Sequence, residues 1–258
     1  MIFEGLTYGG WAAFMVILVR TSALVAAMPV LGSPNLPAVV KAAIALILAL
    51  VLWPVVDLGG LQAPTTLMGF LPLVVGETLI GVILGLSARL LLTSLQIMGQ
   101  MAGFQMGFAV ANVIDPMSGM QISVLGQFVY LVGILVFLAV GGHHMFIRAL
   151  ADSFTLVPPG SFGLSQGLFQ QMMGLAANMF YLAVRIGAPI IGALLFTSVI
   201  MGILAKTVPQ MNILIVGFPL KITVGLVMLA ATITVLVPVM AKVFKNLGAV
   251  LTGLLKAM

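Results

Sequence analysis

The chain has 258 residues, of which 62% are hydrophobic and only 6% are charged. Soluble domains carry roughly a quarter charged residues, so this composition excludes a soluble domain and predicts an integral membrane protein. The net charge of +5 comes from isolated basic residues, whereas nucleic-acid binding needs a clustered basic face. The chain contains no cysteine, which excludes disulfides and thiolate metal sites.

The first apolar segments are interrupted or short. Residues 6–19 are apolar and end at Arg20, and the prolines within residues 29–37 then predict a bent connection. Residues 42–56 form an uninterrupted apolar run. As a helix this run would be about 22 Å long, too short for a hydrocarbon core of about 30 Å. We therefore expect that it need not span lipid.

The next segment carries a carboxylate. Residues 67–88 are long enough to cross a membrane, with Glu77 near the middle, and we expect the helix to end at Arg89. A carboxylate inside an apolar span is a functional hypothesis by default, as in a proton-coupled transporter. A buried partner for Glu77, namely Arg89, Arg185 or a neighbouring subunit, is the simpler interpretation and the favoured one.

A stretch rich in glycine, glutamine and methionine follows, where lipid-facing leucine would be expected. Gly99, Gly103 and Gly107 recur at every fourth residue, which predicts a packing seam along which another backbone approaches closely. Asp115 and Pro116 then predict the end of the helix. Packing alone would account for the pattern, and the sharper hypothesis adds that the following loop lines or blocks a passage.

Two histidines follow the best lipid-type span, residues 122–140. Adjacent histidines such as His143 and His144 point to different faces of a helix, and no carboxylate nearby completes a site. We therefore predict a structural or interfacial role for them and no metal. The stretch at residues 148–160 is polar and rich in turn-forming residues, which predicts a loop.

The last third of the chain predicts a helical hairpin. Residues 186–205 and 222–241 are apolar segments of 20 residues, each flanked by basic residues. Because both ends of the hairpin are positively charged, the positive-inside rule gives no firm orientation. An ordinary membrane hairpin would usually show a clearer bias of basic residues towards one end. The missing bias therefore favours helices that pack within a protein assembly.

Two sequence segments carry a resemblance to a known family. They read GFQMGFAVANVIDPMSGMQISVLGQF at residues 103–128 and AKTVPQMNILIVGFPLKITVG at residues 205–225. Together with Arg20, residues 29–41 and the GGHH sequence at residues 141–144, they resemble the FliR/SctT family of type III secretion. The resemblance covers essentially the whole chain, and its length and GFxMGFAxAxxxDP pattern favour the flagellar branch.

This resemblance implies an all-α fold of membrane-associated helical hairpins, with a FliP-like part at residues 1–180 and a FliQ-like hairpin and tail at residues 181–258. It implies a non-enzymatic subunit of the flagellar export gate, through which unfolded proteins leave the cytoplasm and on which flagellum assembly depends. The implied partners are FliP-like and FliQ-like subunits and a FlhB-like component. The implied place is the bacterial inner membrane within the flagellar basal body. No cofactor is implied.

The resemblance also implies site residues, because in this family the segment matching residues 104–115 belongs to a plug inside the closed pore. The side chains expected to form and hold this plug are Phe104, Met106, Phe108, Val110, Asp115 and Pro116. Large apolar side chains exclude water and ions from a closed pore, and methionine deforms readily around a passing chain. We also assign an interface to the hairpin loop, with residues Lys206, Pro209, Gln210, Asn212, Pro219 and Lys221.

Two other function classes stay open on the residues alone. A small proton-coupled secondary transporter would use helices broken near Pro29 and Pro209, with Glu77 as the coupling carboxylate. A membrane-embedded hydrolase is the more distant alternative. Serine and threonine are plentiful, but neither a triad spacing nor a nucleotide-binding loop accompanies them. We therefore expect no enzymatic activity.

Overall fold

A computed structural model describes residues 8–56, 67–108, 123–210 and 212–258 of the chain. These ranges fold into α-helices and contain no strand, which confirms the all-α prediction. The helices are α1 (Tyr8–Ala27), α2 (Ala38–Leu52), α3 (Leu67–Met106), α4 (Val124–Ala139), α5 (Gly142–Leu156), α6 (Gln166–Thr207), α7 (Ile213–Lys245) and α8 (Leu247–Ala257).

Several helices run past the ends that the sequence predicted. Helix α1 continues through Arg20, and α3 continues through Arg89 to a length of 40 residues. The loop predicted at residues 148–160 is wrong in its first half, because α5 extends to Leu156. Its buried side chains recur with helical spacing between polar ones. Charged and polar residues at these positions therefore mark a face of a helix and not its end.

Four apolar stretches of the described residues are long enough to cross a membrane, namely Gly10–Ala27, Met68–Met106, Gln166–Thr207 and Ile215–Ala257. Helix α2 is shorter, at 15 residues. Helix α4, predicted as the best lipid-type span, has only 16 residues. It qualifies as a span only when joined to α5, across a bend of 63°. Gly141 lies at this bend with a φ of +77°, a conformation that glycine adopts without strain.

The helices divide into two compact units. The first unit takes its members from residues 1–90, 141–175 and 244–258. In it, α1 packs on α2 and α5 packs on α8, and the rings of Phe14 and Trp53 lie 5.3 Å apart. The backbone N–H of Gly163 donates to the carbonyl of Met258 over 3.1 Å. This bond fixes the end of α8 beside the segment that leads into α6.

The second unit takes its members from residues 91–140 and 176–243. It therefore contains the second part of α3, all of α4, and most of α6 and α7. Its core is aliphatic, with Leu95, Met98, Val129 and Leu194 fully buried. Gly133 of α4 receives the side chain of Leu95, which lets α3 and α4 approach closely. This unit holds most of the residues that the sequence selected as functional.

Candidate functional site

Helix α3 ends in a glycine cap at the start of the predicted plug. Gly107 has a φ of +93°. Its N–H donates to the carbonyl of Phe104, and the N–H of Phe108 donates to the carbonyl of Gly103, both over 3.1 Å. This pair of bonds is a Schellman motif, in which glycine takes the left-handed position after the last helical residue. The helix thus ends well before Asp115 and Pro116, which lie outside the described residues, as does Val110.

The other two glycines of the predicted seam contact α4. A Cβ placed on Gly99 would lie 2.6 Å from the Cα of Gly126, and one placed on Gly103 would lie 2.7 Å from Oγ of Ser123. Ser123 also caps α4, since its Oγ accepts a hydrogen bond from the N–H of Gly126. The glycine stripe therefore packs against the first turn of another helix of the same chain.

The three described plug residues do not share one environment. The side chains of Phe104 and Phe108 are 63% and 43% exposed, whereas Met106 is fully buried. Met106 lies against Gly225 of α7. Its prediction as a blocking side chain is therefore corrected: it packs inside the unit, because the bare backbone of Gly225 leaves room for it. Phe104 and Phe108, here called the aromatic pair, are exposed on the surface of the unit.

The hairpin loop lies on the surface of the second unit. Helix α6 ends at Thr207 and α7 begins at Ile213. Asn212 caps α7, since its Oδ1 accepts a hydrogen bond from the N–H of Ile215 over 3.4 Å. The assigned side chains of Lys206, Pro209, Gln210, Asn212 and Pro219 are exposed, and that of Lys221 is half-buried.

Glu77 has a partner that the sequence did not predict. Its Oε2 lies 2.6 Å from Nε of Arg20, and the exposed fraction is 1% for Glu77 and 0% for Arg20. The partner is therefore neither Arg89 nor Arg185, the two arginines proposed from the sequence. Arg185 lies over the ring of Tyr181 at 5.6 Å. The positions of the charged residues along the sequence did not identify this partner. Arg20 and Glu77 lie on different helices, α1 and α3, which only the folded structure brings together.

The guanidinium of Arg20 makes contacts beyond the ion pair. One terminal nitrogen donates to Oγ of Ser153 over 2.9 Å and the other donates to the carbonyl of Val157 over 3.0 Å. The ring of Phe154 lies 4.2 Å from the guanidinium carbon. Arg20 thus connects α1, α3 and α5 within the first unit. A proton-coupling carboxylate needs contact with water, and the burial of Glu77 in this network favours a structural role instead.

The two histidines lie together. The ring centroids of His143 and His144 are 4.0 Å apart, so these side chains do not diverge as predicted. Both belong to the first turn of α5, directly after the bend at Gly141. Within the described ranges, no group of three histidine, aspartate or glutamate residues could hold a metal ion.

Comparisons with known proteins cover nearly the whole chain. Residues 11–247 match the family described as bacterial export proteins, family 1. The chain is 34% identical to the flagellar biosynthetic protein FliR of Bacillus subtilis, over 90% of each chain. It is 30% identical to that of Pectobacterium carotovorum, over 96% of this chain and 98% of the relative. It is 28% identical to that of Escherichia coli, over 92% and 90%.

Proposed function

The chain belongs to the bacterial export protein family 1, in its flagellar FliR branch, and from this premise we propose that it is a subunit of the flagellar export gate. In this role it takes part in exporting flagellar proteins and so in building the flagellum. The observation that carries the proposal is the family match over residues 11–247, which spans both units of the fold.

We place this subunit in the bacterial inner membrane within the flagellar basal body. Its proposed partners are FliP-like and FliQ-like gate subunits, a FlhB-like component and the unfolded proteins in transit. The exposed apolar side chains of α6 and α7, such as Phe196 and Val227, support contact with other proteins. We propose that the chain acts by positioning and sealing and not as an enzyme.

We retain a division into a FliP-like part at residues 1–180 and a FliQ-like hairpin and tail at residues 181–258. Support for the hairpin comes from the two long helices α6 and α7, since α6 ends at Thr207 and α7 begins at Ile213; the proposed boundary itself lies within α6. Exposed polar and proline residues lie between these two helices. They suit an interface with another subunit.

The aromatic pair is our candidate for the seal of the closed gate. Phe104 and Phe108 expose large apolar surfaces at the end of α3, and a ring of such side chains would exclude water and ions. The same role is proposed for Val110, with Asp115 and Pro116 as the turn that holds the segment. Met106 is not part of this proposal.

Deletion of the gene, followed by complementation, tests both the function and the seal. We expect the deletion strain to lose secretion of flagellar proteins and to lack filaments, and the wild-type gene to restore both. The double variant Phe104→Ala/Phe108→Ala should assemble, because neither side chain is part of the core. It should also let ions leak, measured as depolarisation of the membrane.

The matched control is Phe128→Ala/Leu131→Ala, which removes two exposed apolar side chains of α4 in the same unit and should not cause a leak. A deletion strain that still secretes flagellar proteins, but fails to take up a solute, would overturn the export function. Unchanged conductance in a normally assembled Phe104→Ala/Phe108→Ala complex would overturn only the seal.

A further inference from the structure

Helix α7 contacts the end of α3 at two points. A Cβ placed on Gly225 would lie 2.7 Å from Cγ and 2.8 Å from Sδ of Met106, and closer still to its Cε. A Cβ placed on Gly107 would lie 2.5 Å from Cδ1 of Phe218. We call these two contacts the α3 clamp. All four residues belong to the second unit.

The clamp leaves little freedom to the residues that it holds. Met106 is fully buried and Gly225 is buried beneath it. A well-packed interior has no empty space into which a displaced methionine could move. On the other side, Gly107 takes a left-handed conformation that a residue with a side chain rarely adopts. Phe218 covers this glycine where a side chain would otherwise stand.

The clamp determines where the aromatic pair points. Because an α-helix turns by about 100° per residue, residues 104 and 106 lie on roughly opposite sides of α3. With Met106 held inward, Phe104 must face outward, and it is 63% exposed. Phe108 follows the clamped Gly107 directly, and its N–H is bonded to the carbonyl of Gly103. The rotation and the end of α3 thus orient both phenylalanines.

We infer that Gly225 and Phe218 are positioning residues of the gate: they fix the last turn of α3 so that the aromatic pair faces out of the unit. This inference rests on the proposed role of Phe104 and Phe108 as a seal. It assigns to α7 a part in sealing, although neither Gly225 nor Phe218 is itself a sealing side chain.

A cysteine pair tests the contact independently of any function. The chain has no cysteine of its own, so Met106→Cys/Gly225→Cys introduces a single possible disulfide. The sulfur of a cysteine at residue 106 would lie near the present position of Met106 Cγ, which is 2.7 Å from a Cβ placed on Gly225. The two cysteine side chains would therefore be close enough to form a disulfide. We expect oxidation of membranes that contain the assembled apparatus to link the two peptides, as seen by mass spectrometry. The pair Met106→Cys/Gly202→Cys is the control, since a Cβ on Gly202 meets nothing within 4 Å.

An exchange of volume tests the positioning role. Gly225→Leu displaces Met106 and should raise the passive ion leak of the assembled gate severalfold. Met106→Ala/Gly225→Leu returns the lost space, because the leucine fills the place of the methionine, and should restore the seal. Gly202→Leu introduces the same side chain on α6 without a clash and should not leak. If Gly225→Leu prevents assembly, restored assembly in the double variant supports the clamp and failure to restore it overturns the clamp.

The outcomes separate this inference from the proposal on which it rests. If Gly225→Leu does not raise the ion leak of the assembled gate but Phe104→Ala/Phe108→Ala does, the seal exists but the clamp does not position it. Tight gates in both variants would overturn the seal and the clamp role together. The secretion defect of the deletion strain tests the export function in either case. Absence of a disulfide in Met106→Cys/Gly225→Cys under oxidation would also overturn the clamp.

Discussion

At the scale of single residues, the buried pair of Arg20 and Glu77 is the main electrostatic feature of the first unit. Taking two charges out of water is costly, and their attraction offsets this cost only when the geometry and the further hydrogen bonds are good. Here the ion pair measures 2.6 Å, and each terminal nitrogen of the guanidinium donates one further bond, to Ser153 or to the carbonyl of Val157, while Oε1 of Glu77 is buried without a hydrogen-bond partner among the described residues. The pair therefore acts as a specific connection between helices.

Removal of one partner should destabilise the protein strongly. Glu77→Gln leaves the guanidinium of Arg20 buried without a counter-charge, which costs about 3–5 kcal/mol in comparable buried pairs. Arg20→Leu/Glu77→Leu should recover much of this loss, because no uncompensated charge then remains. The measurement is the thermal unfolding of the purified assembly in mild detergent.

The matched control for this prediction is Asp152→Asn. It neutralises an exposed carboxylate of the same unit, and exposed charges contribute about 0–1 kcal/mol. If Glu77→Gln unfolded at the same temperature as the wild type, the pair would not be a structural connection.

The sequence identified Glu77 as a residue that needs an explanation, but not its partner. A carboxylate in an apolar span stands out by composition alone. Arg20 lies 57 residues away, and the apolar periodicity of one helix does not say which other helix packs on it. Three-dimensional packing was therefore required to distinguish Arg20 from Arg89 and Arg185.

At the scale of helices, α3 approaches α1 through a second pair of glycines. A Cβ on Gly81 would lie 2.6 Å from the carbonyl oxygen of Arg20, and one on Gly85 would lie 2.5 Å from Cβ of Ala27 and 2.9 Å from the N of Met28. Small residues spaced by four let two backbones come close in a membrane protein. This contact also brings α1 to the distance at which Arg20 reaches Glu77.

Enlarging Gly81 should separate these two helices. Gly81→Leu meets backbone atoms of α1, which cannot rotate away as a side chain can, so we expect a loss of at least the 1–3 kcal/mol typical of overpacking. The amount of folded protein in membranes and its unfolding temperature measure the effect. Gly174→Leu is the control, because a Cβ at Gly174 in the same unit meets nothing within 4 Å. Equal effects of the two substitutions would contradict this account.

The glycines also show what a helical pattern can and cannot predict. The spacing of Gly99, Gly103 and Gly107 suggested a single stripe, and the first two do lie against α4. Gly107 instead ends α3 in a left-handed conformation. Spacing alone does not distinguish a glycine that packs from one that caps, since both lack a side chain for different reasons. The apolar segments and the family resemblance predicted the all-α class, whereas the sequence did not predict the helix ends.

At the scale of the whole molecule, the longest helices bury little of their apolar surface within the chain. In an 18-residue apolar window of α6, 22% of the residues are buried, and the same share holds for such a window of the stretch Ile215–Ala257, which includes α7 and α8. Lipid and neighbouring subunits could each cover the remainder. The family assignment favours subunits, because an export gate needs a protein wall around its passage.

A photo-reactive side chain on α6 distinguishes these two coverings. Phe196 is 72% exposed within the chain, and benzoylphenylalanine resembles the residue that it would replace there. If the exposed face of α6 is an interface, irradiation of intact membranes should join this chain to another protein of the apparatus, as a band of higher mass. The same membranes kept without irradiation should give no such band. Adducts with lipid alone at residue 196 would instead mean that this face lies against the bilayer, because a subunit interface would exclude lipid from it.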